Sequence, residues 1–281
     1  MNIKEEKKQY VGLKRDTIDK YYTSKATVDE CVDLFINNIN ITKEDVIIEP
    51  SAGNGAFIER LCKTGCSVLC YDIEPQHKEI IKKDYLKLEI PDKNIYKRFF
   101  VIGNPPFGRQ SSLAIKFINK SCEYCDALGF ILPKSFKKNS MKRYFPINFH
   151  LVIEEDLKDN SFIVNGNTYN VPCVFQIWEK REYLRNIEEK VIPNGYKFVK
   201  KTDVPKAHIS FRRVGVNAGK ISKDIDNKSE QSHYFIRFDV EILDDETYNK
   251  LCCLKYENCD NTVGPKSISK QELIREFNFI F

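Results

Sequence analysis

The residues best suited to chemistry form a short motif, Asn104-Pro105-Pro106-Phe107, directly after an apolar stretch, Phe99-Phe-Val-Ile-Gly103. Proline fixes φ and restricts the residue before it, so two prolines in a row hold Asn104 and the Pro105 carbonyl in one extended geometry. An aromatic amine is a poor nucleophile because its lone pair is delocalised into the ring. The Asn104 side-chain oxygen and the Pro105 carbonyl oxygen can accept its two N–H groups and direct the lone pair at an electrophilic methyl group. Phe107 then offers a face on which an extruded base can stack. The alternative is a structural Asn-Pro turn that ends a strand.

A glycine turn lies upstream, where another apolar run ends at proline. It comprises Glu49-Pro50-Ser51-Ala52-Gly53-Asn54-Gly55, and the residues from Phe57 onward have a helical period. Glycines there allow a sharp turn and a close approach of ligand to backbone, and the following helix presents free N–H groups. Such a turn is equally typical of phosphate binding, dinucleotide binding or a tight connection. The sequence lacks the third spaced glycine and the lysine of the common nucleotide motifs, which disfavours both.

Acidic residues follow the next apolar run, Ser67-Val-Leu-Cys-Tyr-Asp72. In a doubly wound fold, Asp72 or Glu74 can accept hydrogen bonds from ribose hydroxyls at the carboxyl edge of the sheet. A helix cap or a surface acid is the alternative. Asp84 stands where a contact to an adenine ring is expected, although a surface acid beside two lysines fits almost equally well.

The elements that must position these residues alternate between strand and helix. Strands are predicted at 45–49, 67–72, 99–103 and 127–132, and helices from Phe57 and over 113–125. This alternation predicts a doubly wound α/β domain whose mostly parallel sheet carries helices on both faces. An earlier helix is predicted with Thr27 as its N-cap and Glu30 completing a capping box. A late strand at 171–178 is expected at the edge of the sheet, where it can run antiparallel.

The pattern divides the chain into a charged arm (1–20), the α/β domain (21–185) and a small basic α+β extension (186–281), which ends in a predicted helix over 270–277. Within the extension, the segment from Tyr196 to Lys223 holds a cluster of cations against the single acid Asp203, and the extension is the predicted contact for nucleic acid. These cations are Lys197, Lys200, Lys201, Lys206, Arg212, Arg213, Lys220 and Lys223.

Composition excludes other classes of protein. The 281 residues are 42% hydrophobic and 30% charged, with a mean hydropathy of -0.45, as in globular proteins. There is no apolar run of ~18 residues and no signal-peptide core at the start, which predicts an intracellular protein without a membrane span. The ten cysteines include one CxxC, Cys122 to Cys125, so buried thiols are expected and no metal site is predicted. The net charge of +5 favours a polyanionic partner only weakly, and the oligomeric state stays open.

Taken together, these motifs resemble the amino-methyltransferases among the class I S-adenosylmethionine-dependent enzymes, and they are most similar to the adenine-N6 type. The resemblance covers roughly residues 20–180 and implies S-adenosylmethionine as cofactor. It implies that Tyr22 and Thr23 contact the methionine part, that the glycine turn and Phe57 cradle the cofactor, and that Asn104 borders it. It further implies that Asp72 holds the ribose and that Asp84 meets the adenine amine, with Ile73 and Tyr85 as further cofactor-binding residues.

For the substrate, the segment Gly129 to Phe136 resembles the later strand and loop of these enzymes and places Lys134 at the cleft. Phe162 is the candidate for a second aromatic wall, and Arg212 and Arg213 for contacts to the nucleic acid. Ser24 departs from the family, which often has proline there, and the tail after Arg181 is short compared with large target-recognition domains.

The resemblance implies methylation of the exocyclic N6 amine of adenine in nucleic acid. DNA is favoured, and RNA, including an mRNA 5′ end, stays open. One alternative is methylation of a protein glutamine or of guanine N2 in ribosomal RNA, because a planar amide poses the same lone-pair problem. Another alternative is an inactive subunit that keeps the fold and binds nucleic acid.

Overall fold

The helices and strands of the protein were assigned in a computed structural model, which describes residues 21–89, 95–164, 166–187, 189–203, 205–256 and 265–281. The predicted charged arm, 1–20, lies outside the described residues. The first part of the chain forms β1 (Tyr22–Thr23), α1 (Lys25–Asn38), β2 (Val46–Glu49), α2 (Ile58–Cys62), β3 (Ser67–Asp72), β4 (Ile81–Lys82), β5 (Phe99–Gly103), α3 (Ser112–Cys122), β6 (Ala127–Pro133), α4 (Asn139–Lys142), β7 (Phe149–Asp156), β8 (Phe162–Val164), β9 (Asn167–Tyr169) and β10 (Cys173–Lys180). The remainder forms β11 (Tyr196–Val199), β12 (Ile209–Arg212), β13 (Ile221–Ser222), β14 (His233–Phe238), α5 (Asp245–Cys252) and α6 (Lys270–Asn278).

Seven strands form the central sheet in the order β4-β3-β2-β5-β6-β10-β7. The strands β4, β3, β2, β5 and β6 run parallel to one another, and β10 runs antiparallel to both β6 and β7. The predicted α/β class is therefore confirmed. The expected edge position of the late strand is wrong, because β7 pairs along the outer side of β10 and occupies the edge itself.

Helices cover both faces of this sheet, as the alternation of elements predicts. Within β2, the side chain of Ile47 packs with Val28, Val32 and Phe35 of α1 on one face, whereas that of Ile48 joins the cluster of α3 on the other. Strands buried on both faces need continuous apolar runs, and β2, β5 and β6 have them. Because β2, β5 and β6 run parallel, their carboxyl ends lie at the same edge of the sheet.

Two predicted helix ends differ from the structure. Helix α1 begins three residues before the predicted position, because the side chain of Ser24, not that of Thr27, is the N-cap and accepts from the Thr27 backbone N–H at 3.4 Å. The Ser24 backbone is fixed there by a hydrogen bond from its own N–H to the Ser161 carbonyl at 2.9 Å. Helix α3 ends at Cys122, three residues before the predicted Cys125.

A second, four-stranded antiparallel sheet has the order β11-β14-β12-β13 and packs with α5 and α6 around its own apolar cluster. The predicted α+β character of the extension and its last helix are confirmed, while the division at residue 185 stays a prediction. Lys138, just before α4, joins the two parts: its Nζ donates to the Ser267 carbonyl at 2.8 Å and pairs with Glu272 at 3.3 Å. Among the described helices, none is both long enough and apolar enough to pass through a bilayer.

Candidate functional site

A cavity of about 340 Å³ opens at the carboxyl ends of β2, β3 and β5. The end of a parallel sheet is where the loops after neighbouring strands converge, so motifs far apart in sequence meet there. All the predicted catalytic residues and all the predicted cofactor residues except Gly55 line it, namely Tyr22, Thr23, Glu49, Pro50, Ser51, Ala52, Gly53, Asn54, Phe57, Asp72, Ile73, Asp84, Tyr85, Asn104, Pro105, Pro106 and Phe107.

The glycine turn has a backbone that other residues adopt only with strain. Gly53 and Gly55 have φ of +52° and +82°, in the left-handed region. A Cβ on Gly55 would lie 2.9 Å from Ile58 Cδ1 and 3.1 Å from the His77 side chain, so the turn is packed as well as bent. Gly55 therefore shapes the wall of the cavity from behind.

Asp72 connects this turn to the end of β3. Its Oδ2 accepts from the Gly53 backbone N–H at 2.7 Å, and its Oδ1 accepts from the Glu74 backbone N–H at 2.7 Å. Each carboxylate oxygen has a second lone pair, so the same side chain can cap the turn and still accept a hydrogen bond from a ligand. The capping and ribose-binding interpretations of Asp72 are thus compatible.

Asp84 and Tyr85 also line the cavity. The Asp84 carboxylate accepts from the Leu86 backbone N–H at 3.1 Å and pairs with Lys87 at 3.4 Å. The Tyr85 hydroxyl is bonded to Ser121 Oγ at 2.8 Å and to Tyr124 at 2.6 Å, so only its ring is presented to the cavity. Burial raises the pKa of Tyr85, which keeps that hydroxyl neutral.

Glu49, the last residue of β2, is a carboxyl buried in the wall of the cavity. Burial raises its pKa to about 8; a hydrogen bond from the Cys70 thiol lowers the pKa, and the charge of Asp72 raises it. The Cys70 Sγ lies 3.8 Å from Glu49 Oε2, and burial also raises the pKa of that thiol, which therefore stays a donor. The cavity wall thus holds a group that ionises near neutral pH.

The Asn104 amide has a fixed orientation. Its Nδ2 donates to the Tyr21 carbonyl at 3.0 Å and to Thr23 Oγ1 at 3.2 Å. A carbonyl only accepts, so the nitrogen must face Tyr21, and Oδ1 must point the other way. The Asn104 backbone is held too, because Ser51 Oγ donates to its carbonyl at 3.1 Å.

Several residues lining the cavity were not predicted from the sequence. Tyr21 is one of them, and its ring contacts Tyr169 at 5.7 Å and Phe162 at 6.1 Å between centroids. The ring of Phe117 stacks on Tyr85 at 5.4 Å and 18°. The signals were an aromatic beside Tyr22 and an apolar stripe in the helix after the motif, both of which are equally typical of core residues. The other unpredicted lining residues are Ala56, Lys83, Leu86 and Leu113, whereas Glu74, weighed with Asp72 as a ribose acceptor, lines the cavity as well.

Two residues expected at the substrate cleft lie elsewhere. Phe162 is fully buried in the core cluster of α1, opposite Thr23 in the pairing of β1 with β8, so it does not line the cavity. Lys134 Nζ pairs with Asp156 at 3.0 Å outside the cavity. Burial raises the pKa of Asp156, but hydrogen bonds from Lys137 and Lys134 outweigh it and lower that pKa overall.

The predicted basic patch lies on the second sheet, and many of its cations already have partners. Arg212 Nε donates to the Val214 carbonyl at 3.0 Å, and Arg213 Nη2 donates to the Gln231 carbonyl at 2.8 Å. Lys206 pairs with an aspartate at 3.0 Å, as does Lys223 at 2.8 Å. The formal positive charge of the segment therefore overstates what a polyanion would meet.

No family model and no curated protein matches the chain. Solved structures that it resembles include a putative RNA methyltransferase from Pyrococcus horikoshii, with 17% identity over 58% of this chain and 87% of that one, at a TM-score of 0.47. A putative class I S-adenosylmethionine-dependent methyltransferase from Listeria monocytogenes is 16% identical over 61% of this chain and 64% of that one, at a TM-score of 0.43. A type I restriction-modification methyltransferase subunit from Streptococcus thermophilus is 12% identical over 60% of this chain and 46% of that one, at a TM-score of 0.43. Such low scores carry no argument about activity.

Proposed function

We propose that the chain is an S-adenosylmethionine-dependent methyltransferase that methylates the exocyclic N6 amine of adenine in nucleic acid, with DNA favoured over RNA. The observation that carries this proposal is the fixed Asn104 amide in the cavity, whose nitrogen is bound by Tyr21 and Thr23. Its oxygen is thereby kept as an acceptor beside the diproline corner.

The residues of the cavity fit the proposed cofactor. Its methionine part carries an ammonium and a sulfonium charge, and acids and backbone groups surround the glycine turn. The Asp72 carboxylate retains lone pairs for ribose hydroxyls, and the exposed side chain of Ile73, 59% accessible, offers an apolar surface to an adenine ring. The cofactor, when bound, supplies an electrophilic methyl group.

Asn104 and Pro105 would activate the target amine by position alone. When both N–H groups donate to the Asn104 Oδ1 and to the Pro105 carbonyl, the nitrogen lone pair is directed away from them. The pyrrolidine rings keep both acceptors in place before the substrate arrives, so little entropy is lost on binding. The surplus proton of the amine leaves to water, and the chain needs no strong base.

Aromatic faces would hold the extruded base. Phe107 is half-buried against both core clusters and lines the cavity, so its ring has one supported side and one open side. We assign the second wall to Tyr21 in place of the buried Phe162, because the Tyr21 ring lines the cavity and rests on Tyr169 and Phe162. Base stacking on such a ring is worth roughly 1–3 kcal/mol.

Product analysis separates this proposal from its alternatives. The purified chain is incubated with tritiated S-adenosylmethionine and a panel of single- and double-stranded DNA and RNA, and the labelled product is digested. We expect N6-methyladenine. Label in N5-methylglutamine or N2-methylguanine would refute the adenine assignment while keeping the methyltransferase.

Calorimetry tests the non-catalytic alternative. Titration of the chain with S-adenosylmethionine should release heat with one site per chain. An inactive subunit of the same fold would give no heat of binding, and that result would overturn the proposed function entirely.

A further inference from the structure

A cleft of about 180 Å³ lies on the second sheet beside the beginning of α6. It is smaller than the roughly 300–1,000 Å³ of sites that enclose a small molecule, so it suits one planar ring of a longer ligand. We propose that this cleft binds a single-stranded segment of polynucleotide, stacking a base on Phe198 and Tyr234 and pairing phosphates with Lys200 and Lys270. The inference rests on the proposed function, because this strand would be the one that flanks the target base.

The two aromatic rings of the cleft are held in place from below. Phe198 of β11 and Tyr234 of β14 meet edge to face, with centroids 5.6 Å apart, and both are half-buried. Tyr234 stacks on the fully buried Phe211 at 6.4 Å and 14°, and Phe198 contacts Tyr196 at 6.2 Å. Rings supported by the core lose little freedom when a base stacks on them in place of the cations that lie over them.

Cations stand over these rings. The Lys270 Nζ lies 4.6 Å from the Phe198 centroid and 5.7 Å from that of Tyr234, and the Arg213 guanidinium lies 5.4 Å from Tyr234. Lys270 is the first residue of α6, where the helix dipole favours anions over cations. The dipole therefore destabilises the Lys270 cation, and an incoming phosphate would be attracted both by the cation and by the N-terminal end of the helix.

The cations at the cleft are more available than Lys206 and Lys223 of the basic patch. Lys206 and Lys223 are paired with aspartates, whereas the described residues place no carboxylate at ion-pair distance from Lys200 or Lys270. Glu230 is the acid that lines the cleft, and its carboxylate accepts from the Lys201 backbone N–H at 3.3 Å.

The cleft is attached to the same edge of the central sheet as the cavity. Lys138 follows β6, the parallel neighbour of β5, and its side chain is bonded to Ser267 and Glu272 on either side of the start of α6. The beginning of α6 is therefore anchored to a loop that follows the strand next to Asn104.

Binding of labelled single strands to the full chain tests the proposal. Fluorescence anisotropy is measured without cofactor, using DNA and RNA strands of one sequence and about 12 nucleotides, within the usual range of site sizes. Phe198→Leu and Tyr234→Leu should each raise Kd by about 5-fold or more, since stacking is lost while the core keeps an apolar side chain. Lys270→Gln should reduce the slope of log K against log salt by about 0.7.

A lysine over an aromatic ring elsewhere in the second part of the chain provides the control, with Lys223 just after β13 and Tyr248 in α5. Lys223 Nζ stands 4.7 Å over the Tyr248 ring but is also paired with Asp245, so Lys223→Gln and Tyr248→Leu should change Kd by less than about twofold. The proposal would be overturned if the variants of both pairs raised Kd equally, or if the Phe198 and Tyr234 variants bound single strands as tightly as the wild type. Circular dichroism of each variant checks folding.

This binding result is separable from the proposed function. If calorimetry shows no binding of S-adenosylmethionine but the cleft variants lose single strands, the methyltransferase proposal fails and the cleft stands. If the cleft variants bind single strands normally while the chain methylates nucleic acid, the cleft proposal fails and the methyltransferase proposal stands. Comparison of the DNA and RNA arms shows which sugar the cleft prefers.

Discussion

The buried Glu49 carboxyl gives the protein a stability that falls as pH rises. Its pKa is raised from 4.5 to about 8 in the folded chain, mainly because burial penalises the charge. Between those values the unfolded chain releases this proton and the folded chain retains it. Unfolding then releases a proton, so a higher pH favours the unfolded state. The loss begins above the unfolded pKa and stops once the pH passes the folded pKa.

The size of this loss in unfolding free energy follows from the difference between the unfolded and folded pKa values of Glu49. Each pH unit is worth about 1.4 kcal/mol, and the folded carboxyl is itself half-ionised at pH 8, so the loss between pH 5 and pH 8 is about 3 to 4 kcal/mol. Glu49→Gln removes the titration and keeps the shape. The variant should match the wild type within about 1 kcal/mol at pH 5 and exceed its stability by about 3 to 4 kcal/mol at pH 8.

Urea unfolding at pH 5, 6, 7 and 8 measures this difference, with Glu44→Gln as the control. Glu44 is an exposed glutamate near the opposite end of the same strand, paired with Lys97, and its substitution should leave the pH dependence of the wild type unchanged. If the free energies of unfolding of Glu49→Gln and wild type differed by the same amount at every pH in this range, Glu49 would not be a buried carboxyl that stays protonated. A difference that reverses sign would refute the protonated carboxyl as well.

Two other substitutions test how the site is built. Thr23→Val removes one of the two partners of Asn104 Nδ2 without changing shape; we expect kcat for methylation to fall by about 10-fold, and unchanged kcat would contradict the positioning role of the hydroxyl. Gly55→Ala should destabilise the chain by about 1–3 kcal/mol more than Gly166→Ala, measured by urea unfolding, because both glycines have positive φ (+82° and +78°) but only a Cβ on Gly55 meets neighbours. Equal costs would show that backbone strain alone matters.

The parallel strands of the sheet were predictable because burial on both faces demands continuous apolar residues. Val46–Glu49, Phe99–Gly103 and Ala127–Pro133 are such runs, and each ends in residues that turn the chain. Strand β7 was not predicted, since its sequence ends in three acids and its residues are mostly half-buried. Without β7, nothing in the sequence placed β10 inside the sheet.

The site was largely predictable because it follows the ends of these strands. The diproline motif, the glycine turn and Asp72 each follow a predicted strand, and topology brings them to one edge. The failures depend on contacts distant in sequence. Phe162 is drawn into the core by the pairing of β8 with β1, and this pairing also places Tyr21 at the cavity. A sequence read along the chain has no signal for such pairing.

The most direct test of the whole account is the Asn104→Ala variant, with Asn249→Ala on the exposed side of α5 as its control. Methyl transfer to the preferred strand is measured with tritiated cofactor, and cofactor binding by calorimetry on the same preparations. We expect turnover to fall by about 100-fold or more, as when a preorganised hydrogen-bonding group is removed, with cofactor affinity within a few-fold of the wild type. Wild-type turnover in Asn104→Ala, or loss of cofactor binding together with activity, would contradict the role of Asn104 as the acceptor that orients the amine.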